Sequence, residues 1–300
     1  MNSEEIVGIR HRAFSPSRIL AITSNTLTDL TRQKAFHVLL VFALLLIGSS
    51  VFLARFTFQQ EFQILKDISL GAMSIFSSLL AIVATARLIP QDVEERTVYA
   101  ILAKPVPRFE YLLGKLTGVL LLLASSIGLM TTMFLLVLAA REHSALQETA
   151  RQFAHAPREQ LEDSLRAVRA SAFNIDFLPG IAVIFLKSSL LAALTLFVST
   201  FATTNIFTIV VMAFIYLIGH LQATAREFWL QENAPTWMTR LFLALVALLF
   251  PDLQAFNLVD DVVAGAVIPF NLFIKTAELG LFYTTIYTLL ATFAFYGKEL

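Results

Sequence analysis

Six apolar runs set the strongest limit on what this 300-residue chain can fold into. They are Ala35–Ala54, Ile68–Ile89, Leu116–Ala140, Phe177–Phe201, Ile206–Leu221 and Thr276–Tyr296. Each is close to or above the ~20 residues that a helix needs to cross ~30 Å of hydrocarbon. Inside a bilayer every backbone N–H and C=O has to be satisfied within the protein, so runs of this length fold as helices. The expectation is an all-α, polytopic membrane protein with six transmembrane helices. A further run, Leu241–Phe250, is too short to cross and ends at Pro251, so it reads as an interfacial or re-entrant helix.

Composition agrees. Hydrophobic residues make up 57% of the chain and charged residues 15%, against ~25% charged in an ordinary soluble domain, and the mean hydropathy is +0.73. Net charge is zero, so no overall field points to nucleic acid. The chain has no cysteine, which excludes disulfides, thiolate metal sites and thiol catalysis together. His37 and His220 fall at the ends of spans, while His11, His143 and His155 are scattered. None forms a metal-binding pair spacing, and no metal site is expected.

Residues 1–34 precede the first run and carry Arg10, Arg12, Arg18, Arg32 and Lys34, a pattern unlike a cleaved signal peptide. Within them Ser17–Lys34 sets Ile19, Ala21, Leu27 and Leu30 among polar residues, as an amphipathic helix lying along the headgroups would. Five basic residues lie in this segment and five more in Arg87–Lys115, against two in Arg55–Asp67. The positive-inside rule therefore puts both termini and the stretch 90–115 in the cytoplasm, with 141–176 and 222–275 as outer loops. Arg141–Ala172 reads as one or two short amphipathic helices broken at Pro157, and Trp229 and Trp237 suit a membrane interface.

The stretch RLIPQDVEERTVYAILAKPVPRFEYLLGKLTG, from Arg87, is charged and punctuated by proline between two spans. Asp92 with Glu95 three residues on reads as a capping box, and Pro90 helps to stop the preceding helix. Asp92, Glu94 and Glu95 fill a first turn and Lys104 the last, an order that complements the helix dipole. Val98, Ile101 and Leu102 give an apolar side opposite Glu94, Glu95 and Arg96, and Pro105 ends the helix. A short docking helix over Asp92–Ala103 is predicted. Arg108 is expected at the headgroup boundary or paired with Glu110. Within the spans the notable charge is Lys187, with Glu278 as a candidate partner; it reads as a snorkelling or structurally paired lysine or as an intramembrane polar site.

Glu95–Lys115, ERTVYAILAKPVPRFEYLLGK, resembles the cytoplasmic loop of permease subunits of the type-2 ATP-binding-cassette (ABC) exporter superfamily. The matching residues are Glu95, Arg96, Thr97, Pro105, Arg108, Glu110, Gly114 and Lys115. FPDLQAFNLVDDVVAG, Phe250–Gly265, is similar to the outer segment of the subgroup described as copper-enzyme maturation permeases. The resemblance implies a half-transporter of the bacterial inner membrane. It would pair with a second permease copy, most simply as a homodimer, and take its stroke from a separate cytoplasmic ABC ATPase that carries ATP and Mg. It implies an ATPase-coupling role for Asp92, Glu94, Glu95, Arg96, Val98, Ile101, Leu102, Pro105 and Arg108, and it leaves room for a periplasmic or membrane accessory protein. The residues themselves agree about energy: Gly114-Lys115 is followed by Leu116 and position 109 is Phe, so no phosphate-binding loop is present and no cofactor is expected on this chain. An intramembrane enzyme would need clustered catalytic side chains within the spans, and the sequence has none. The other reading is a membrane scaffold or anchor that docks a partner without transporting.

Overall fold

A computed structural model describes residues 14–54, 61–95, 106–154, 157–173, 177–232, 237–238, 241, 250–258, 262–263 and 268–297, the side chains of 223–232 excepted. Among these residues there is no strand. The helices are α1 (Pro16–Thr31), α2 (Lys34–Ala54), α3 (Glu61–Ala86), α4 (Leu88–Glu94), α5 (Arg108–Gln152), α6 (Arg158–Ala172), α7 (Phe177–Phe201), α8 (Asn205–Glu232) and α9 (Phe270–Tyr296). A short 3-10 turn covers Gln254–Phe256. Six helical stretches are long and apolar enough to cross a membrane, as the hydropathy pattern predicts. The chain is an all-helical integral membrane protein.

The helices alternate in direction, which gives the bundle two ends. The loop end holds α1, α4 and the C-terminus of α9; the hairpin end holds α6. Helix α7 is the hub, packed against α3, α5, α8 and α9. Apart from Lys187 it is apolar or small all round, and every residue from Lys187 to Leu196 is buried, as expected of a helix with no polar face. Its small residues, Ser188, Ser189, Ala192 and Ala193, let neighbouring backbones come close. At the hairpin end Phe134 of α5 meets Phe177 of α7 edge to face, with centroids 5.4 Å apart.

Helix α5 is the longest element. Its 45 residues extend over about 67 Å at 1.5 Å per residue, well beyond a hydrocarbon core. No proline interrupts it from Arg108 onward, so the span continues as a stalk to Gln152. The predicted break at Pro157 holds, and α6 folds back as the second arm of a hairpin. The first of the two expected outer helices is thus the end of a span. Helix α8 likewise runs beyond the expected Leu221 to Glu232, since no breaker occurs before Pro235.

The capping box at Asp92 is not what starts the loop helix. Helix α3 ends at Ala86, Arg87 makes the turn, and α4 already begins at Leu88 with Pro90 inside its first turn. Proline is tolerated there because first-turn N–H groups have no intrahelical partner. So Pro90 opens a helix where it was expected to close one, and Asp92 sits near the end of α4, leaving its carboxylate for tertiary contacts. Arg96, Val98, Ile101, Leu102 and Pro105, and most of the predicted Asp92–Ala103 helix, lie outside the described residues, as does nearly all of the Leu241–Phe250 run.

Candidate functional site

The loop end is organised by charge and by two glycines. Gly114 and Gly118 of α5 are four residues apart and therefore on one face. A Cβ on Gly114 would lie 2.7 Å from Ile22, and one on Gly118 would lie 2.8 Å from Thr26. Only glycine permits α1 to rest so closely on α5, the logic of small-xxx-small packing in membranes. Thr23 uses the approach: its Oγ1 donates to the Gly114 carbonyl at 3.2 Å and lies 2.6 Å from Thr117 Oγ1. One turn earlier Glu110 is buried and accepts two bonds from Arg18, at 2.7 Å from Nε and 2.9 Å from Nη2, and a third from the Ser15 N–H at 3.0 Å. The hydrogen bond to that carboxylate holds the Arg18 guanidinium above its ordinary pKa. Glu110 was a candidate partner of Arg108; it belongs instead to the clamp that fixes the N-terminal helix.

Asp92 joins α4 to α5. Its Oδ2 accepts from Lys115 Nζ at 2.6 Å and also from the Tyr111 hydroxyl. Both donors are almost fully buried, so the pairing is made where charge–charge contacts are strong. Lys115 also lies over the Tyr111 ring, 5.7 Å from its centroid. Val93 packs against the core while Glu94 and Glu95 stay exposed, Glu95 accepting from Gln91 Nε2 at 2.7 Å. Among the described ion pairs none joins Arg108 to Glu110. Arg108 turns to α9 and donates to the carbonyls of Phe295 and Tyr296.

Open clefts flank α4. One of about 650 Å³ is lined by Arg87, Val93, Glu94 and Glu95 on one side and by Thr203–Ile206 of the α7–α8 link on the other. Another, of about 320 Å³, lies between α4 and α1 and presents Asp29, Arg32, Arg87, Asp92 and Lys115. Open clefts with charged rims suit a protein surface better than an enclosed small molecule.

Midway along the bundle Lys187 is buried, and Glu278 is not its partner: Glu278 is exposed, and no ion pair joins the two. The lysine Nζ lies 3.1 Å from His220 Nε2, 3.5 Å from Ser74 Oγ and 5.7 Å from the centre of the Tyr216 ring. His220 Nδ1 is 2.9 Å from the Tyr216 carbonyl, which can only accept. The proton of the neutral imidazole therefore sits on Nδ1, and Nε2 is free to accept from Lys187. The cluster ties α3, α7 and α8 together. His220 was read from sequence as an interfacial histidine; its role beside Lys187 becomes visible only because α8 continues past it.

Two further basic residues serve the hairpin end. Lys66, buried, donates to the Ser171 carbonyl at 2.7 Å and so caps the last turn of α6. Arg141 bonds Glu61 and lies 3.6 Å from Glu148. Lys66 entered the sequence reading only as a topology charge; the available signal was a basic residue flanking a predicted span, Lys66 just before Ile68 and Arg141 just after Ala140. No group of acidic and histidine residues able to hold a metal occurs among the described residues.

No curated protein matches the chain closely enough to add a relative. Residues 20–300, from the middle of α1 to the C-terminal residue, match the family described as ABC-2 family transporter protein. With six span-capable helices and a charged junction between the second and third of them, the chain belongs to the ABC-2 family of transporter membrane proteins.

Proposed function

We propose that this ABC-2 permease works as a pair in a bacterial inner membrane, both termini cytoplasmic, and that a separate ABC ATPase drives it from the α4 side. One observation carries the reading. Helix α4 is tethered from within by Asp92, through Lys115 and Tyr111 of α5, while Glu94 and Glu95 remain exposed over the cleft of about 650 Å³. A partner that grips the exposed acids and the loop beyond them displaces α4 and α5 together. Arg96, Val98, Ile101, Leu102 and Pro105 extend the docking surface in this reading, and ATP and Mg are held by the partner.

Pairing has its own support. On α8 the exposed residues Phe207, Val210, Phe214, Leu217 and Leu221 recur at three- and four-residue steps; on α2 Val38, Val41 and Leu45 do so, with Phe52 two turns further on. Such seams are the spacing by which membrane helices of two subunits pack.

The test is co-purification of the full chain with an ABC ATPase, followed by ATP turnover in nanodiscs. Charge reversal by Glu95→Lys with Arg96→Glu is expected to weaken assembly or to uncouple turnover at equal protein recovery. A chain that brings down other proteins but no ATPase would instead be a scaffold. Native mass spectrometry reads the pair directly, and a monomer bound to the ATPase would remove that part of the proposal.

A further inference from the structure

Helix α9 is held at its loop end and again near its middle. At the loop end Arg108 Nη1 donates to the carbonyl oxygens of Phe295, at 2.6 Å, and Tyr296, at 2.9 Å. These belong to the final turn, whose carbonyls lack intrahelical donors and where a cation complements the dipole. The guanidinium lies 5.7 Å from the centroid of each of the two rings. Tyr111, one turn along α5, stacks on Phe295 with centroids 5.8 Å apart, and its hydroxyl bonds Asp92 of α4. Helices α4, α5 and α9 thus meet in one knot, in which Tyr111 and Phe295 are fully buried.

Toward the other end α9 touches the segment Pro251–Leu258. A Cβ on Gly280 would lie 3.1 Å from Phe256 Cε1 and 3.3 Å from Leu186 Cβ, so the backbone of α9 itself bears on the Phe256 ring. Phe256 is buried, and Leu253, buried beside it, donates its N–H to the Gly219 carbonyl of α8 at 3.0 Å. The segment is therefore seated against both α8 and α9. Between Gly280 and Phe295 the helix has no proline or further glycine, and it spans about 22 Å at 1.5 Å per residue. A helix without a breaker transmits axial displacement and does not bend to absorb it.

We propose that α9 is a push rod, with Arg108 the positioning residue that fixes its loop end, so that movement of α4 and α5 is delivered at Gly280 to Phe256 and displaces the segment Pro251–Leu258. The inference rests on the reading of the chain as an ATPase-driven permease. Arg108 suits the task because paired, charge-assisted bonds have a direction and hold register, whereas apolar packing alone lets helices slide.

Since the chain has no cysteine, Ala255→Cys, at an exposed position of the segment, carries a single environment-sensitive fluorophore. The full chain with its co-purified ATPase is placed in nanodiscs, and a non-hydrolysable ATP analogue is added. Emission is expected to shift in the otherwise wild-type chain. Arg108→Gln should reduce that shift per assembled complex by roughly fivefold or more, the scale on which loss of a charge-assisted hydrogen bond moves a two-state equilibrium. Arg108→Lys, which keeps a donor, should retain an intermediate shift. Gly280→Ala, remote from the loop, should move the emission without nucleotide by lodging a methyl group against Phe256. A full shift with Arg108→Gln overturns the rod; so does an ATPase-bound, ATP-hydrolysing wild type with no shift. If Arg108→Gln does not fold, Gly280→Ala decides: emission equal to wild type with and without nucleotide overturns it. A wild-type chain that recovers no ATPase removes the permease reading, and the rod with it.

Discussion

Helices α7 and α8 follow one another through a three-residue link, and each is apolar enough to cross a membrane. Yet 67% of the most apolar stretch ending in α7 is buried within the chain, against 22% for α8. Hydropathy does not explain the contrast, because lipid tails are as apolar as leucine and give helices no hydrophobic reason to associate. Side-chain size does. Helix α7 carries Ser188, Ser189, Ala192, Ala193 and Ser199 among its buried residues, and backbones approach closely wherever side chains are short. Helix α8 presents Phe214 at 63% exposure and Leu221 at 64%, bulky groups suited to lipid or to a twin. In a bilayer, small residues mark the inside.

The same substitution in both helices is the most severe test of that contrast. Ala192→Phe, at a position with no exposure, is expected to cost about 3 kcal/mol in stability through overpacking. Ala213→Phe, on the exposed side of α8, should cost less than about 0.5 kcal/mol. Unfolding in mixed detergent, followed by tryptophan fluorescence, compares them; equal losses would mean that the two helices are not environmentally distinct.

A second test concerns the polar contact between the two helices. His220→Leu removes the main acceptor of a buried cation and should destabilise by about 2 kcal/mol, the cost of stranding a charged donor. Lys187→Met removes the cation itself and should cost under about 1 kcal/mol, because an apolar group of similar shape needs no partner. The double variant should then resemble Lys187→Met. If His220→Leu proves as mild as Lys187→Met, Nε2 is not what supports the lysine.

Phe214→Ala sharpens the outward face. It should leave the unfolding midpoint of the single chain nearly unchanged but weaken pairing by about tenfold, as truncation of a central aromatic does at an interface. Dilution series by single-molecule photobleaching in liposomes measure this, and an unaffected pair would place the twin elsewhere. The smallest effect is expected at the start of α8, where the Phe207 N–H donates to Thr204 Oγ1 at 3.3 Å. Thr204→Ala removes this cap at a cost of about 0.5 kcal/mol, detectable as faster hydrogen exchange in the first turn of α8 alone.

Much of the candidate site could be read from residue order, and the misreadings share a cause. Asp92, Arg108 and Lys115 were visible as charges bracketing a loop, and Pro90 as a boundary. Their partners were sought nearby: Glu95 for Asp92 through a capping box, Glu110 for Arg108. In the structure Asp92 turns to Tyr111 and Lys115, Arg108 to the far end of the chain at Phe295, and Glu110 back to Arg18. A loop charge at low dielectric takes whichever partner the fold brings within ~4 Å, and sequence distance does not enter. Glu278 was one candidate partner for Lys187, a carboxylate that spacing alone could not place; the lysine lies beside an imidazole instead.

Residue order alone establishes that this chain is helical and lives in a membrane, which stretches of it are apolar enough to cross, and which end of the bundle gathers its charged junction. Those properties are local: run length against bilayer thickness, proline and glycine against helix continuity, basic residues against hydrocarbon. Packing in three dimensions settled that α7 is the hub while α8, also apolar enough to cross, faces outward, and that the loop end is knotted to the last span through Arg108 and Phe295. Packing among apolar helices depends on shape matched across residues far apart in the chain, and hydropathy, which is summed along one helix at a time, contains no record of it.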